Sequence, residues 1–163
     1  MAIGPFRVIL DTNIVVRGLL NPQSDSGRIL LACEDRRIIA ILSGPLLVEY
    51  RYVLADAALV RRYPELEPNK VKTALERLAY VGEVLKPVRM RFHFPRDPGD
   101  EKLLVLAIAG RATHVITTDR DLLDLPTGRG EASRRFRQRL PGVVVVRPEQ
   151  FVRDYGADLG IER

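Results

Sequence analysis

The chain has 163 residues and a formal net charge of +5 at pH 7, from 26 Lys and Arg against 21 Asp and Glu. With 46% hydrophobic residues it can bury a core, which excludes a disordered protein, and its length predicts a single domain over residues 1–163. The apolar runs are too short for a membrane span, and the start of the chain lacks a secretory pattern. The single cysteine, Cys33, excludes an internal disulfide and a cysteine zinc site. We therefore expect a cytoplasmic protein.

The first half of the chain predicts strands that alternate with helices. A short apolar run that ends at a turn-prone residue indicates a buried strand, and apolar residues that recur every three or four positions indicate a helix. By these signals the first elements in chain order are a strand over 6–10, helices over 13–20 and 26–34, and a strand over 37–42. They are followed by a helix capped by Ser43, a helical stretch that ends at residue 63, another helix over 69–80, and a strand over 84–88.

The second half continues this alternation. Asp97 and Pro98 open a helix as its N-cap and first-turn proline, and Gly110 ends it. Residues 128–140 predict a basic connection that contains glycine. The remaining elements are strands over 114–117 and 143–146 and a last helix over 148–154. Short, continuously apolar strands between helices predict an α/β protein whose mostly parallel sheet is covered on both faces and whose functional loops lie at the carboxyl ends of the strands.

Four carboxylates are predicted to gather at that edge of the sheet. Asp11 follows the first strand and Asp119 the fourth, while Asp100 continues the buried stripe of its helix and Glu49 borders the apolar face of its own. Each one alone also fits a helix cap, a turn or a solvated residue, but independent caps need not converge on one edge. Clustered carboxylates stay ionised only beside a cation, and oxygen ligands favour Mg²⁺ or Mn²⁺, ions that activate water for attack on a phosphodiester.

The basic connection is a second candidate site. Its arginines suit contact with backbone phosphates, and Phe136 among them either stacks on a base or anchors in the core. The two histidines, His93 and His114, have no partner at ligand spacing and are interpreted as structural. The candidate phosphate contacts in the connection are Arg129, Arg134, Arg135 and Arg137.

Four motifs resemble the PIN-domain nucleases, and most closely the prokaryotic group described as toxin components of toxin–antitoxin modules. They are Asp11-Thr12-Asn13 after the first strand, SGPLLVEYRYVL from Ser43, Asp97-Pro98-Gly99-Asp100 before LLVLAIAG, and VITTDRDLL around Asp119. The resemblance covers residues 6–151, with the motifs in order. It implies a three-layer α/β/α sandwich with a central, mostly parallel sheet of about five strands, and cleavage of RNA that depends on Mg²⁺ or Mn²⁺.

The resemblance also implies roles for individual residues. It makes the carboxylates Asp11, Glu49, Asp100 and Asp119 catalytic, with Asp11, Asp100 and Asp119 as metal ligands. Its supporting residues are Thr12, Asn13, Thr117, Asp97 and Asp121. Glu101 is an alternative to Asp100 as the third acid, although the Leu103 stripe favours Asp100, and Arg120 either screens the cluster or touches phosphate.

The partners implied by the resemblance are RNA, a cognate antitoxin protein and a second copy of the chain in a homodimer, with no membrane. The competing hypothesis is a PIN-like module that binds RNA or a protein without cutting. The presence of all four acids weighs against that alternative.

Overall fold

The computed structural model describes residues 6–161. Its five strands are β1 (Arg7–Leu10), β2 (Ile39–Ser43), β3 (Glu83–Leu85), β4 (His114–Ile116) and β5 (Val144–Val146). Its α-helices are α1 (Thr12–Leu20), α2 (Asp25–Glu34), α3 (Gly44–Leu54), α4 (Ala57–Arg62), α5 (Pro68–Val81), α6 (Glu101–Ala109), α7 (Arg120–Leu123), α8 (Glu131–Arg139) and α9 (Pro148–Tyr155). A 3₁₀ turn over Pro98–Asp100 leads directly into α6.

The strands form one sheet in the order β3-β2-β1-β4-β5, and all four pairings are parallel. The chain builds outward from β1 to β3 and then crosses back to place β4 on the other side of β1. In β1, Val8 lies between Ala40 of β2 and His114 of β4. The strand order therefore reverses between β1 and β4, and in such sheets ligands bind at the carboxyl ends beside the reversal. The predicted α/β/α fold with a parallel sheet is confirmed.

Helices cover the sheet, which is why its central strands consist mostly of buried apolar residues. Ile9 and Val115 are fully buried in neighbouring strands. In α3, the residues Leu46, Tyr50 and Leu54 recur at a spacing of four and point into the core. Helix α6 packs on β1, β2 and α3, which holds its first turn close to the carboxyl ends of the strands. No helix among residues 6–161 is long and apolar enough to cross a membrane.

The structure corrects the expectation of a plain connection over 128–140. Helix α8 occupies most of it, because Ser133, Phe136 and Leu140 recur at helical spacing and are all buried beneath an arginine-rich outer face. Phe136 is therefore a core residue and does not stack on a base. The helix expected to open at Pro98 begins three residues later, since residues 98–100 form the 3₁₀ turn.

Tyr50 ties α3 to the end of β1, and we expect its hydroxyl to matter for stability. The side chain is fully buried and donates a hydrogen bond to the Leu10 carbonyl, next to Asp11. Burial raises the pKa of Tyr50 well above its usual range, so the hydroxyl stays protonated. Tyr50→Phe removes this buried hydrogen bond and should cost about 1 kcal/mol in urea unfolding. Tyr52→Phe, at a position that is 80% exposed, is the matched control, and equal losses in both variants would contradict this role.

Candidate metal centre

Asp11 bridges the carboxyl ends of β1 and β4. It is only 7% exposed, and its N–H donates to the Ile116 carbonyl at 3.0 Å. Its Oδ1 accepts the Thr12 N–H and its Oδ2 the Thr117 hydroxyl, both at 2.7 Å. Burial raises the pKa of Asp11, and these two hydrogen bonds oppose the rise. Both carboxylate oxygens are thus held in place by the ends of the two strands.

Thr117 links Asp11 to the other acid that follows a strand, Asp119. The Thr117 oxygen donates to Asp11 and accepts the Asp119 N–H at 2.9 Å, and its side chain is fully buried. Asp119 caps α7, and its Oδ1 accepts the Asp121 N–H at 2.9 Å. A single hydroxyl therefore contacts the Asp11 carboxylate and the backbone of Asp119 at the reversal of strand order.

Asp119 meets two further carboxylates from the turn before α6. Ligand oxygens of Asp97, Asp100 and Asp119 all lie within 4.8 Å of one another, and these three residues are called the Asp triad below. Asp97 was expected only to support the site, but the structure brings it directly to Asp100 and Asp119. Its Oδ1 accepts the Gly99 N–H at 3.1 Å, which fixes the turn.

Asp100 is the carboxylate of the site whose charged form is least favoured by its surroundings. Its Oδ2 is buried and has no hydrogen-bond partner within residues 6–161. Burial, the charge of Asp11 and the contacts with Asp119 and Asp97 raise the pKa of Asp100 to about 8. A carboxylate in these surroundings is stabilised by a cation. An orphaned buried oxygen among oxygen donors therefore fits a hard divalent ion.

Glu49 lies on the Asp11 side of the site and outside the Asp triad. Its Oε2 accepts a hydrogen bond from the Thr12 hydroxyl, and its Oε1 pairs with Lys102 Nζ at 2.6 Å. Lys102, in the first turn of α6, is not among the site residues predicted from the sequence. The only sequence signal for it is its position two residues after Asp100.

Glu101 points to a different place from its neighbour Asp100. Its Oε1 accepts the Phe94 N–H at 3.0 Å and lies 3.9 Å from His93 Nδ1. The Asp triad includes Asp100 and does not include Glu101. Of the two alternatives, the geometry thus favours Asp100.

The remaining predicted residues lie around the site or away from it. Asn13 is exposed in the first turn of α1, and Asp121 pairs with Arg96 at 2.5 Å. In the basic segment, Arg135 pairs with Glu131, and Arg137 donates to the carbonyls of Pro126 and Gly128. The arginines exposed to solvent include Arg120, Arg129 and Arg134.

Comparison with known proteins adds a family assignment to this geometry. Residues 7–121 match the family model described as a PIN domain, a span that holds the Asp triad, Asp11 and Glu49. A protein of Methanocaldococcus jannaschii described as uncharacterized is 29% identical over 119 residues, which cover 73% of this chain and 74% of that protein. No solved structure gives a significant match.

Proposed function

The chain belongs to the PIN domain family of nuclease-type hydrolases, and on this premise we propose that it is an endoribonuclease dependent on Mg²⁺ or Mn²⁺. The observation that carries the proposal is the unpartnered buried oxygen of Asp100 within a set of carboxylates at the reversal of strand order. We take Asp11, Glu49, Asp100 and Asp119 as the catalytic residues.

The Asp triad is the part of the site best suited to hold the ion. Its carboxylates offer oxygen donors within reach of one another, which is the chemistry that Mg²⁺ and Mn²⁺ prefer. A bound divalent ion supplies charge stabilisation for a phosphodiester and an activated water. We infer that Asp97 joins Asp100 and Asp119 as a ligand and that Asp11 completes the surroundings of the ion.

The chain's own hydrogen bonds keep these acids in position before any ligand arrives. Thr117 orients Asp11 and Asp119 together, and Thr12 holds Glu49 beside Asp11. Positioning of this kind reduces the reorganisation needed at the moment of reaction. Thr12 and Thr117 therefore act as positioning residues in the proposed mechanism.

RNA is the proposed substrate, and exposed arginines are its proposed contacts. Arg120, at the start of α7, adjoins Asp119, and Arg129 and Arg134 are exposed on the basic segment. Arg135 and Arg137 already bond within the chain, so they contribute charge with less freedom to follow a backbone. A net charge of +5 favours the approach of a polyanion.

Other expectations rest on the sequence alone. A toxin role, a cognate antitoxin, a homodimer, a cytoplasmic location and a single domain over the whole chain stay predictions. The non-catalytic alternative is tested by the experiment that follows.

Purified protein should cut labelled single-stranded RNA with Mn²⁺ or Mg²⁺, because the Asp triad needs an ion to place a phosphodiester. EDTA should stop the cleavage, and Asp11→Asn should lose it. Asp158→Asn, an exposed position after α9, is the control for a lost carboxylate and should cut like the parent. Equal cleavage by Asp11→Asn and the parent would indicate a contaminating nuclease, and RNA binding without cleavage would favour the non-catalytic module.

A further inference from the structure

Lys102 places a fixed positive charge beside the acidic site. Its Nζ lies 2.6 Å from Glu49 Oε1 and also donates to the Gly99 carbonyl. Gly99 belongs to the turn that carries Asp97 and Asp100, so the ammonium links α3 to that turn. The Lys102 side chain is only 29% exposed, unlike that of Lys72, which is 68% exposed. The cation is held by the protein and is not a freely moving surface charge.

Hydrogen bonds divide the carboxylates into two groups. On one side, Glu49 and Asp11 each have both oxygens engaged by partners within the chain. On the other side, Asp97 and Asp119 each accept one backbone N–H, and Asp100 Oδ2 accepts none. Open coordination capacity is therefore concentrated in the Asp triad, while the Glu49 side already has its counter-ion.

We propose that Lys102 is a built-in second cation, which neutralises the Glu49 side and limits the site to one divalent ion, held by the Asp triad. This inference rests on the proposed function. A second ion near Glu49 would have to displace an ammonium that contacts both a carboxylate and a carbonyl, and it would meet that positive charge at close range. The ammonium thus supplies the positive charge that a second metal ion provides in two-metal sites.

The test counts Mn²⁺ ions by isothermal titration calorimetry and by electron paramagnetic resonance of free Mn²⁺, at pH 8 and without RNA. The parent should bind one ion, and Lys102→Met should bind two, because Glu49 then lacks its counter-ion. Lys102→Arg keeps the charge and should bind one. Lys72→Met is the matched control, since Lys72 also pairs with a carboxylate, that of Glu76 at 3.8 Å on α5, and it should bind one ion.

The outcomes separate this inference from the function on which it rests. Two ions in the parent, or one ion in folded Lys102→Met, would overturn the role of Lys102 and leave the proposed nuclease intact. No Mn²⁺ binding in the parent would overturn the proposed metal centre itself. Circular dichroism checks folding, and Lys102→Gln replaces Lys102→Met if the methionine variant unfolds.

Discussion

Asp100→Asn is expected to abolish RNA cleavage and, in the same variant, to stabilise the protein when no metal is bound. The pKa of Asp100 is about 8 in the folded chain, against an ordinary value of 3.8. Between these values the folded state keeps a proton that the unfolded state releases, so stability falls as pH rises from about 4 to 8. Asparagine has no charge to bury. We expect the free energy of unfolding to rise by about 1–3 kcal/mol at pH 8, a range reduced to allow for the partial exposure of the side chain.

The loss of activity should be far larger than any change in folding. Asparagine keeps the shape of the side chain but removes the charge that Asp100 offers to a cation from the centre of the Asp triad. Cleavage should fall by about a thousandfold, which corresponds to about 4 kcal/mol in the activation barrier.

Urea unfolding in EDTA and single-turnover cleavage measure the two effects on one preparation. Asp158→Asn should change neither quantity. The stability gain should shrink as pH falls toward 4, because the unfolded parent then begins to bind the proton that the folded parent already holds on Asp100. A variant less stable than the parent in EDTA at pH 8 would show that the Asp100 carboxylate is structural, and an active variant would remove it from the mechanism.

The sequence alone predicts the sheet and the meeting of Asp11 with Asp119. Both acids follow strands whose apolar sequences indicate burial, and the carboxyl ends of parallel strands lie at the same edge of a sheet. Their proximity can therefore be predicted without knowing how the helices pack. The pairing of Leu10 with Ile116 brings those ends together. The fold and this half of the site follow from patterns within single segments.

The position of Asp97 could not be derived in the same way. Its sequence fits an N-cap on a helix that starts at Pro98, but residues 98–100 form a 3₁₀ turn. With three residues per turn, side chains at i and i+3 lie above one another, which brings Asp97 to the same side as Asp100. The choice between the two kinds of helical turn depends on how α6 docks against the sheet.

The partner of Glu49 depends on tertiary packing as well. Lys102 and Glu49 are far apart in sequence and meet because α3 packs on α6. The sequence signal for helix α8 is weak for a different reason. Arginines dominate the composition of this segment, and one of its three buried positions at helical spacing, Ser133, is polar, while Phe136 and Leu140 are apolar.

Acid is expected to destabilise the protein through His114, at the opposite end of β4 from Thr117. The His114 ring is 5% exposed and packs on Phe6, Phe151 and Tyr155, with ring centroids 4.9 to 5.3 Å away. Its Nε2 is buried with no hydrogen-bond partner in the described part of the chain. Burial lowers the pKa of His114 from 6.5 to about 4, because the imidazolium cannot be solvated there.

The sign of the effect follows from which state binds the proton. Between pH 6.5 and 4 the unfolded histidine is protonated and the folded one is neutral. The free energy of unfolding therefore has its full value above pH 6.5 and falls by up to about 3 kcal/mol as pH drops to 4.

His114→Phe keeps an aromatic ring in the cluster and should lose less stability over this interval, whereas His93→Asn, at an exposed position, should follow the parent. Urea unfolding in EDTA at several pH values measures the difference between variants, which removes the shared titration of the carboxylates. Parallel pH profiles for the parent and His114→Phe would contradict a buried neutral histidine at the start of β4.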